Sequence, residues 1–377
     1  MQLKRRPVET KELQLSPAQR DAVEHRGKPL IIYGGPGSGK TTVLIEAAID
    51  RINKGQDPNS ILVLTFGRER ASELRDAIAL RTSQTMLEPL ARTFHALAYS
   101  ILKSEGRNPV LLSGPEQEGW IRQLIDGVEW PEKLKAALHT RGFVRELRDL
   151  ILRATERGWT PEDLEINGQK YKEEFWIAAS KFWKSYIGTL ILVDADHGEP
   201  KERLDSAQLV WRAANVTRNV FKNQFKTILV DEFQESDKAQ RALLSNIATD
   251  DLVIALDPYS TVGRFRGADP DGLQDALAPY LAKGDAIHFS ENYRASSAAH
   301  LFLEKVAGEI PKAPEIQSSR GEITGSVVAE CFIDGANEAS FIADKLQRAH
   351  LEGGLEWSEM AVIFRSPAQS GAVRNAL

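Results

Sequence analysis

Two groups of residues in this sequence have the types and spacing that chemistry on a phosphate would need. The first is Gly34-Gly35-Pro36-Gly37-Ser38-Gly39-Lys40-Thr41, a complete phosphate-loop pattern, set between an apolar run and the helical text that opens at Thr42. Glycines allow a tight backbone path whose N–H groups, together with a helix N-terminus, point at phosphate oxygens. In such a loop Lys40 brings charge to the β- and γ-oxygens, and Thr41 brings a hydroxyl to Mg2+. The plainer alternative is a glycine-rich turn that holds nothing. The second group ends the apolar run Ile228-Leu229-Val230 with two adjacent acids, Asp231 and Glu232. Strand neighbours point to opposite sides, so Asp231 can enter a metal's shell while Glu232 orients or deprotonates a water near a γ-phosphate. A solvated strand end is the bland reading of the same pair. Gln234 is left open between a γ-phosphate sensor and a polar turn residue.

Bulk properties bound what surrounds these groups. A chain of 377 residues with 42% hydrophobic content can build two or three compact units. Its single cysteine excludes an internal disulfide, and seven scattered histidines form no zinc spacing, so a reducing, cytoplasmic setting is expected. The basic start MQLKRRPVET has no apolar segment after it, and no run approaches the ~20 apolar residues of a membrane span, so no membrane partner is expected. Net charge is −5. Nucleic-acid binding is therefore not legible in overall charge and must rest on local residues.

The elements that must position the two groups follow from pattern. Short β-branched runs at Pro29–Tyr33, Ser60–Phe66, Thr227–Val230, Leu252–Leu256 and Ala286–Phe289 read as buried parallel strands, each with a helix or loop after it. That alternation predicts an α/β sheet. From about Lys103 to Pro200 the strand signals vanish and amphipathic helices with Gly/Pro turns take over, so an all-helical insertion is expected. From Gly321 a strand at Gly325–Phe332, a helix around Ala339–His350 and a strand at Met360–Phe364 read as the opening of a second α/β unit. Helical text at Ala368–Leu377 has no stop signal, and reads as a helix cut short.

Further motifs make the pattern resemble a known family. Asp231-Glu232-Phe233-Gln234, Phe265-Arg266-Gly267-Ala268-Asp269 and Glu291-Asn292-Tyr293-Arg294 look like successive signatures of superfamily 1 helicases of the UvrD/Rep/PcrA group. Upstream, Leu15–Val23 resembles the group's adenine-reading glutamine motif. Leu64-Thr65-Phe66-Gly67-Arg68 and Arg92-Thr93-Phe94-His95 resemble its early DNA-contacting motifs. The resemblance runs over residues 13–377 and implies ATP and Mg2+ as cofactors, with Thr41 and Asp231 on the metal. It implies that Gln19 reads the adenine edge, that Tyr293 stacks on the ring and that Arg294 meets the γ-phosphate. By the same resemblance Phe66 and Phe265 stack on single-stranded DNA, while Arg68, Thr93 and His95 lie along its path. From the residues alone, both phenylalanines read equally as core and His95 as a satisfied, partly buried histidine.

The sequence also departs from the group's pattern. Ser260 stands where a coupling glutamine is usual, Gly263 where an aromatic DNA contact is usual, and Thr42 where several relatives carry an adenine-stacking arginine. Looser coupling of hydrolysis to DNA is expected as a result. In the helical insertion, Arg141, Arg145 and Arg148 share a face, readable as a DNA-facing surface or as a solvated face paired with Glu146, Asp149 and Glu156. Leu112–Gln117 and Gly142–Leu147 resemble the AdnA/AdnB helicase-nuclease subunits, which would imply a partner subunit.

The resemblance thus implies a RecA-like ATPase domain in two segments, 1–103 and 201–315, a helical insertion subdomain at 104–200 and the start of a second RecA-like domain at 316–377. Its implied function is 3′-to-5′ translocation on single-stranded DNA and unwinding at DNA junctions, in repair or recombination, with this stretch able to bind ATP but weakly active or inactive, and unable to unwind, alone. Two rivals stay open: a degenerate nucleotide-binding scaffold, and a phosphate-loop ATPase or kinase that acts on something other than DNA.

Overall fold

The structure is a computed structural model; it describes residues 14–82, 90–195, 201–220, 224–310, 317–318, 325–366 and 369–377, with the side chains of 195, 217–220, 265, 266, 317 and 318 excepted. In chain order the main strands are β1 (Leu30–Gly34), β2 (Ile61–Thr65), β3 (Ala91–Thr93), β4 (Pro109–Leu111), β5 (Glu202–Leu204), β6 (Thr227–Val230), β7 (Asp251–Leu256) and β8 (Asp285–Phe289). Six of them form one parallel sheet in the order β3-β2-β6-β7-β1-β8. The register aligns Leu30 with Val253, Ile228 with Leu252 and Val63 with Leu229, which brings the carboxyl ends of β1, β7 and β6 to one edge. The five runs expected between Pro29 and Phe289 are all strands, shifted by a residue at some ends.

Alternation along these strands sorts the core into two layers. Ile31, Leu62, Leu64, Ile228, Val230, Leu252 and Ile254 share one face with helices α4 (Phe94–Ser104), α10 (Ser206–Val220), α11 (Lys238–Ile247) and α12 (Leu273–Leu281). Leu30, Ile32, Ile61, Val63, Leu229 and Val253 share the other with α1 (Pro17–Glu24), α2 (Lys40–Asn53) and α3 (Arg68–Ala79). Because both faces are covered, the strands read as continuous apolar runs. The chain has the RecA-like α/β architecture expected of it. β3 escaped the sequence pattern because three residues with an arginine in the middle show no alternation.

The insertion holds α5 (Gly114–Leu124), the short α6 (Glu132–Lys135), α7 (Arg141–Glu156), α8 (Pro161–Tyr171) and α9 (Glu174–Ala195). Trp130, Phe143, Phe182 and Trp183 lie in a core of its own. The turn signals read from sequence act as caps: Ser113 with Glu116 and Thr160 with Asp163 form capping boxes ahead of α5 and α8. One expectation needs correcting, since the insertion is not purely helical. β4 and β5 pair in parallel, Pro109 against Glu202, where the chain enters and leaves it. Two segments brought together at such a neck satisfy their backbone groups by pairing.

Residues group into two compact units, 1–295 with 304–321, and 296–303 with 322–377. The second contains most of α13 (Ser297–Gly308), all of α14 (Gly335–Leu351) and α15 (Ser370–Ala376). The helix expected at Ala339–His350 lies within α14, whose first N–H groups are capped by Asp334. The strands expected at Gly325–Phe332 and Met360–Phe364 are not strands, for among the described residues no neighbouring chain pairs with them. No described helix is long and apolar enough to cross a membrane.

Candidate nucleotide-binding and catalytic site

The phosphate loop turns between β1 and α2 on two residues with positive φ, Gly37 at 79° and Gly39 at 87°. Both are also positions of close approach. A Cβ on Gly37 would stand 2.6 Å from Asn292 Oδ1, and one on Gly39 2.5 Å from Gln19 Nε2. Glycine is thus required twice over, by conformation and by space. No side chain caps the N-terminus of α2, so its first N–H groups remain directed at the loop. Within the loop Ser38 Oγ donates to Gly35 O at 2.8 Å, and the buried Lys40 Nζ donates to Gly34 O at 2.7 Å and Gly35 O at 3.1 Å.

β6 brings the acidic pair to this loop. Asp231, fully buried, accepts from Thr41 Oγ1 at 2.9 Å through Oδ2 and at 3.1 Å through Oδ1. Burial, and then the neighbouring Glu232 charge, push its carboxyl up to about 6, against the pull of Thr41, Arg70 and Lys40. A hydroxyl and a carboxylate held together are a hard-oxygen donor set that suits Mg2+ shared with phosphate oxygens and water. The loop's glycine cradle and uncapped helix start suit the phosphates themselves. Among the described residues no cluster of three or more His, Cys, Asp or Glu could hold a metal on its own.

Glu232 does not take up its position by strand alternation, as the sequence pattern had suggested. β6 stops at Val230, and Glu232 sits in the left-handed region at φ 56°. A non-glycine residue there costs on the order of 1–3 kcal/mol, an outlier of the sort that clusters at active sites. Gln234, open between two readings in the sequence, donates through Nε2 to Glu232 and accepts Asp257 N at 3.0 Å through Oε1. It therefore bridges the acidic pair and the end of β7. Ser260, by contrast, is tied to its own turn through Asp257 O at 3.2 Å. Gly263 has a steric reason, because a Cβ would stand 2.2 Å from Glu235 Oε2.

Other expected nucleotide residues gather around the loop. Gln19 is buried and doubly engaged: Oε1 accepts Ser16 N at 3.0 Å, and Nε2 donates to Ser38 O at 3.0 Å. Tyr293 N donates to Gly37 O at 2.9 Å, and its hydroxyl donates to Glu291. Arg294 is exposed beside Gly37, with its backbone held by Asn292 Oδ1 at 2.9 Å. Thr42 is half-buried in the first turn of α2.

Of the residues expected to meet DNA, Phe66, Arg68, Thr93 and His95 lie at the carboxyl ends of β2 and β3, on the same sheet edge as the loop. Phe66 is half-buried, its ring 5.1 Å from that of Phe94. Thr93 is buried and caps α4 by accepting Ala96 N at 3.1 Å. Arg68 is exposed in the first turn of α3. Burial and then the Arg68 charge hold His95 below the usual histidine range, which keeps it neutral near pH 7. The side chain of Phe265 lies outside the described residues. In the insertion, Arg148 pairs with Glu118 at 2.7 Å and with Asp149 at 2.8 Å, and Arg145 stands 3.6 Å from Glu118, so two of the three arginines on that face are paired within the insertion.

Sequence reasoning missed three participants. Arg70 Nη2 donates to Thr41 Oγ1 at 2.8 Å, Asn292 buttresses Gly37, and Glu235 fills the space beside Gly263. Asn292 stood inside a quoted motif without a role. Arg70 carries no sequence signal, being one charged residue among several on a helix.

Residues 15–280 match the family model described as the UvrD/REP helicase N-terminal domain. DNA helicase II of Escherichia coli is 26% identical over 377 residues, covering 96% of this chain and 50% of that protein. PcrA, an ATP-dependent DNA helicase of Staphylococcus epidermidis, is 24% identical over 371 residues, covering 93% and 48% respectively. DNA helicase II of Haemophilus influenzae is 24% identical over 368 residues, covering 92% and 48%. The chain spans about half the length of the curated relatives it matches.

Proposed function

The chain belongs to the UvrD/REP helicase family, and on that footing we propose that it binds and hydrolyses ATP to drive movement along single-stranded DNA. The observation that carries this reading is Thr41 Oγ1 at 2.9 Å from Asp231 Oδ2, across 190 residues of chain, beside a complete phosphate loop. Lys40 and the N–H groups of the loop bind the phosphates, while Thr41 and Asp231 would hold Mg2+. When bound, Mg2+ supplies positive charge that neutralises the phosphoryl oxygens. Glu232, steadied by Gln234, orients the attacking water and accepts its proton. Arg294 adds a cation where charge develops on the γ-phosphate.

Gln19 keeps one amide proton and one lone pair beyond its two bonds, which fits recognition of an adenine edge, and Tyr293 stands beside the loop to stack on the ring. Thr42 offers no planar surface, so base stacking falls to Tyr293. On the DNA side, Phe66 and Phe265 stack on bases without regard to sequence, Arg68 neutralises phosphate, and Thr93 and neutral His95 donate hydrogen bonds along the strand. Travel in the 3′-to-5′ direction, action at junctions in repair or recombination and a companion subunit follow from the sequence resemblance, and a cytoplasmic setting from the single cysteine. The division at 103, 200 and 315 follows from the change of pattern along the chain, and the insertion's separate core supports the first two of these bounds.

Glu232→Gln tests the catalytic assignment, because it keeps the shape and removes the base. ATP hydrolysis stimulated by single-stranded DNA should disappear while nucleotide binding persists; unchanged turnover would overturn the proposal. Phe66→Ala tests the track. It should weaken single-stranded DNA binding by about 1–3 kcal/mol, measured by fluorescence anisotropy.

A further inference from the structure

The metal corner contains a cation of the protein's own. Arg70, on the first turn of α3, donates from Nη2 to Thr41 Oγ1 at 2.8 Å, and its Nε stands 3.5 Å from Asp231 Oδ2. On its other side Nη1 donates to Glu73 Oε2 at 2.9 Å. One guanidinium is thus divided between the two Mg2+ ligands named above and an exposed carboxylate one helical turn along.

We infer that Arg70 is a tethered counter-ion of the Mg2+ seat, which the metal must push aside toward Glu73 in order to bind. The inference rests on the nucleotide-site reading and adds a residue that sets how much Mg2+ the site requires. Three physical points lead to it. Asp231 is fully buried, and a buried carboxylate without a partner is costly. Lys40 directs its ammonium to the carbonyls of Gly34 and Gly35, whereas Arg70 forms the direct ion pair with Asp231. The Thr41 hydroxyl gives its proton to Asp231 and receives Arg70 on a lone pair, so the oxygen that would ligate Mg2+ is contested.

A divalent cation arriving at this corner meets a positive charge within a few ångströms, and the repulsion is strong in a partly desolvated site. Glu73 relieves it. The carboxylate is mostly exposed, already holds one edge of the guanidinium and can take it fully when the metal enters. Swinging toward Glu73 moves charge along α3, whose first residue is Arg68, next to Phe66 and Gly67.

Two substitutions with opposite expected signs test this. A fluorescent ATP analogue is bound to the chain while Mg2+ is titrated, and Mn2+ uptake is followed in parallel by electron paramagnetic resonance. Arg70→Ala should lower the half-saturating concentration of both ions by roughly 10- to 100-fold, the effect of removing one close unit charge from a divalent ion in a partly solvated site. Glu73→Ala, at an exposed position where folding is little affected, should raise it, and Arg70→Lys should fall between Arg70→Ala and the unaltered protein. If analogue binding persists but neither Arg70→Ala nor Glu73→Ala moves the midpoint, or if both move it the same way, the tethered-cation inference is wrong. If the unaltered protein binds no analogue at any Mg2+ concentration, the nucleotide-site reading fails and this inference with it. Should Arg70→Ala unfold, the direction of the Glu73→Ala shift decides.

Discussion

Glu232 and Gln234 act as a pair at the residue scale, because a side chain held in the left-handed region needs something to keep it aimed. Gln234 does so with one amide, bonded to Glu232 at one end and to Asp257 N at the other. Gln234→Ala should lower the ATP turnover number by roughly 10- to 100-fold, the usual cost of losing an orienting partner, with nucleotide affinity nearly unchanged. Equal losses in both would indicate a binding role instead. Gly39 is a harsher case. Gly39→Ala combines a φ of 87°, worth about 1–2 kcal/mol against an L side chain, with a collision against Gln19 Nε2. Nucleotide binding, measured by calorimetry, should be lost.

The elements are held in register by contacts with no part in the chemistry. Arg51, near the end of α2 and almost completely buried, forms a two-point ion pair with Asp251 at the start of β7, at 2.8 Å and 2.6 Å. It also donates to His25 O just beyond α1, so one guanidinium ties two helices to the strand between the loop and the acidic pair. Removing one partner of a buried pair strands the other charge. Arg51→Met should therefore cost about 3–5 kcal/mol in urea unfolding. Arg241 plays a similar part for the loops, joining Ser236 Oγ at 2.9 Å to Asp269.

The insertion joins the sheet and its flanking helices through a buried acidic junction. Glu156, at the end of α7, accepts from Arg153 and packs where Gly267 leaves room, with the Asp205 and Asp237 charges nearby. Burial pushes its carboxyl up to about 7; Asp205 and Asp237 reach about 6 for the same reason. A raised carboxyl means that the folded state holds its proton more tightly than the unfolded state. Stability is then highest below the ordinary value of 4.5 and declines as pH rises to about 7. Glu156→Gln removes that decline and should gain on the order of 1–3 kcal/mol at pH 8 with no gain at pH 4. Thermal unfolding at the two pH values checks this, and an equal gain at both would show that the charge is not the cause.

The amino-acid order alone determined the phosphate loop, the acidic pair and most strands of the sheet. Each is local, written in contiguous residues whose glycine content or apolar runs leave few conformations open. The family motifs were legible for the same reason, though their partners were not. Tertiary structure decided that Thr41 and Asp231 meet, that Glu232 is aimed by a left-handed turn rather than by strand alternation, and that Arg70 reaches both Thr41 and Asp231. It also decided that Gln234 bridges two strand ends and that a strand pair closes the neck of the insertion. Such contacts join residues far apart in sequence, and a lone arginine on an amphipathic helix has the same spacing whether it faces water or a buried carboxylate. Periodicity reports which face of an element is apolar; only packing selects what stands opposite.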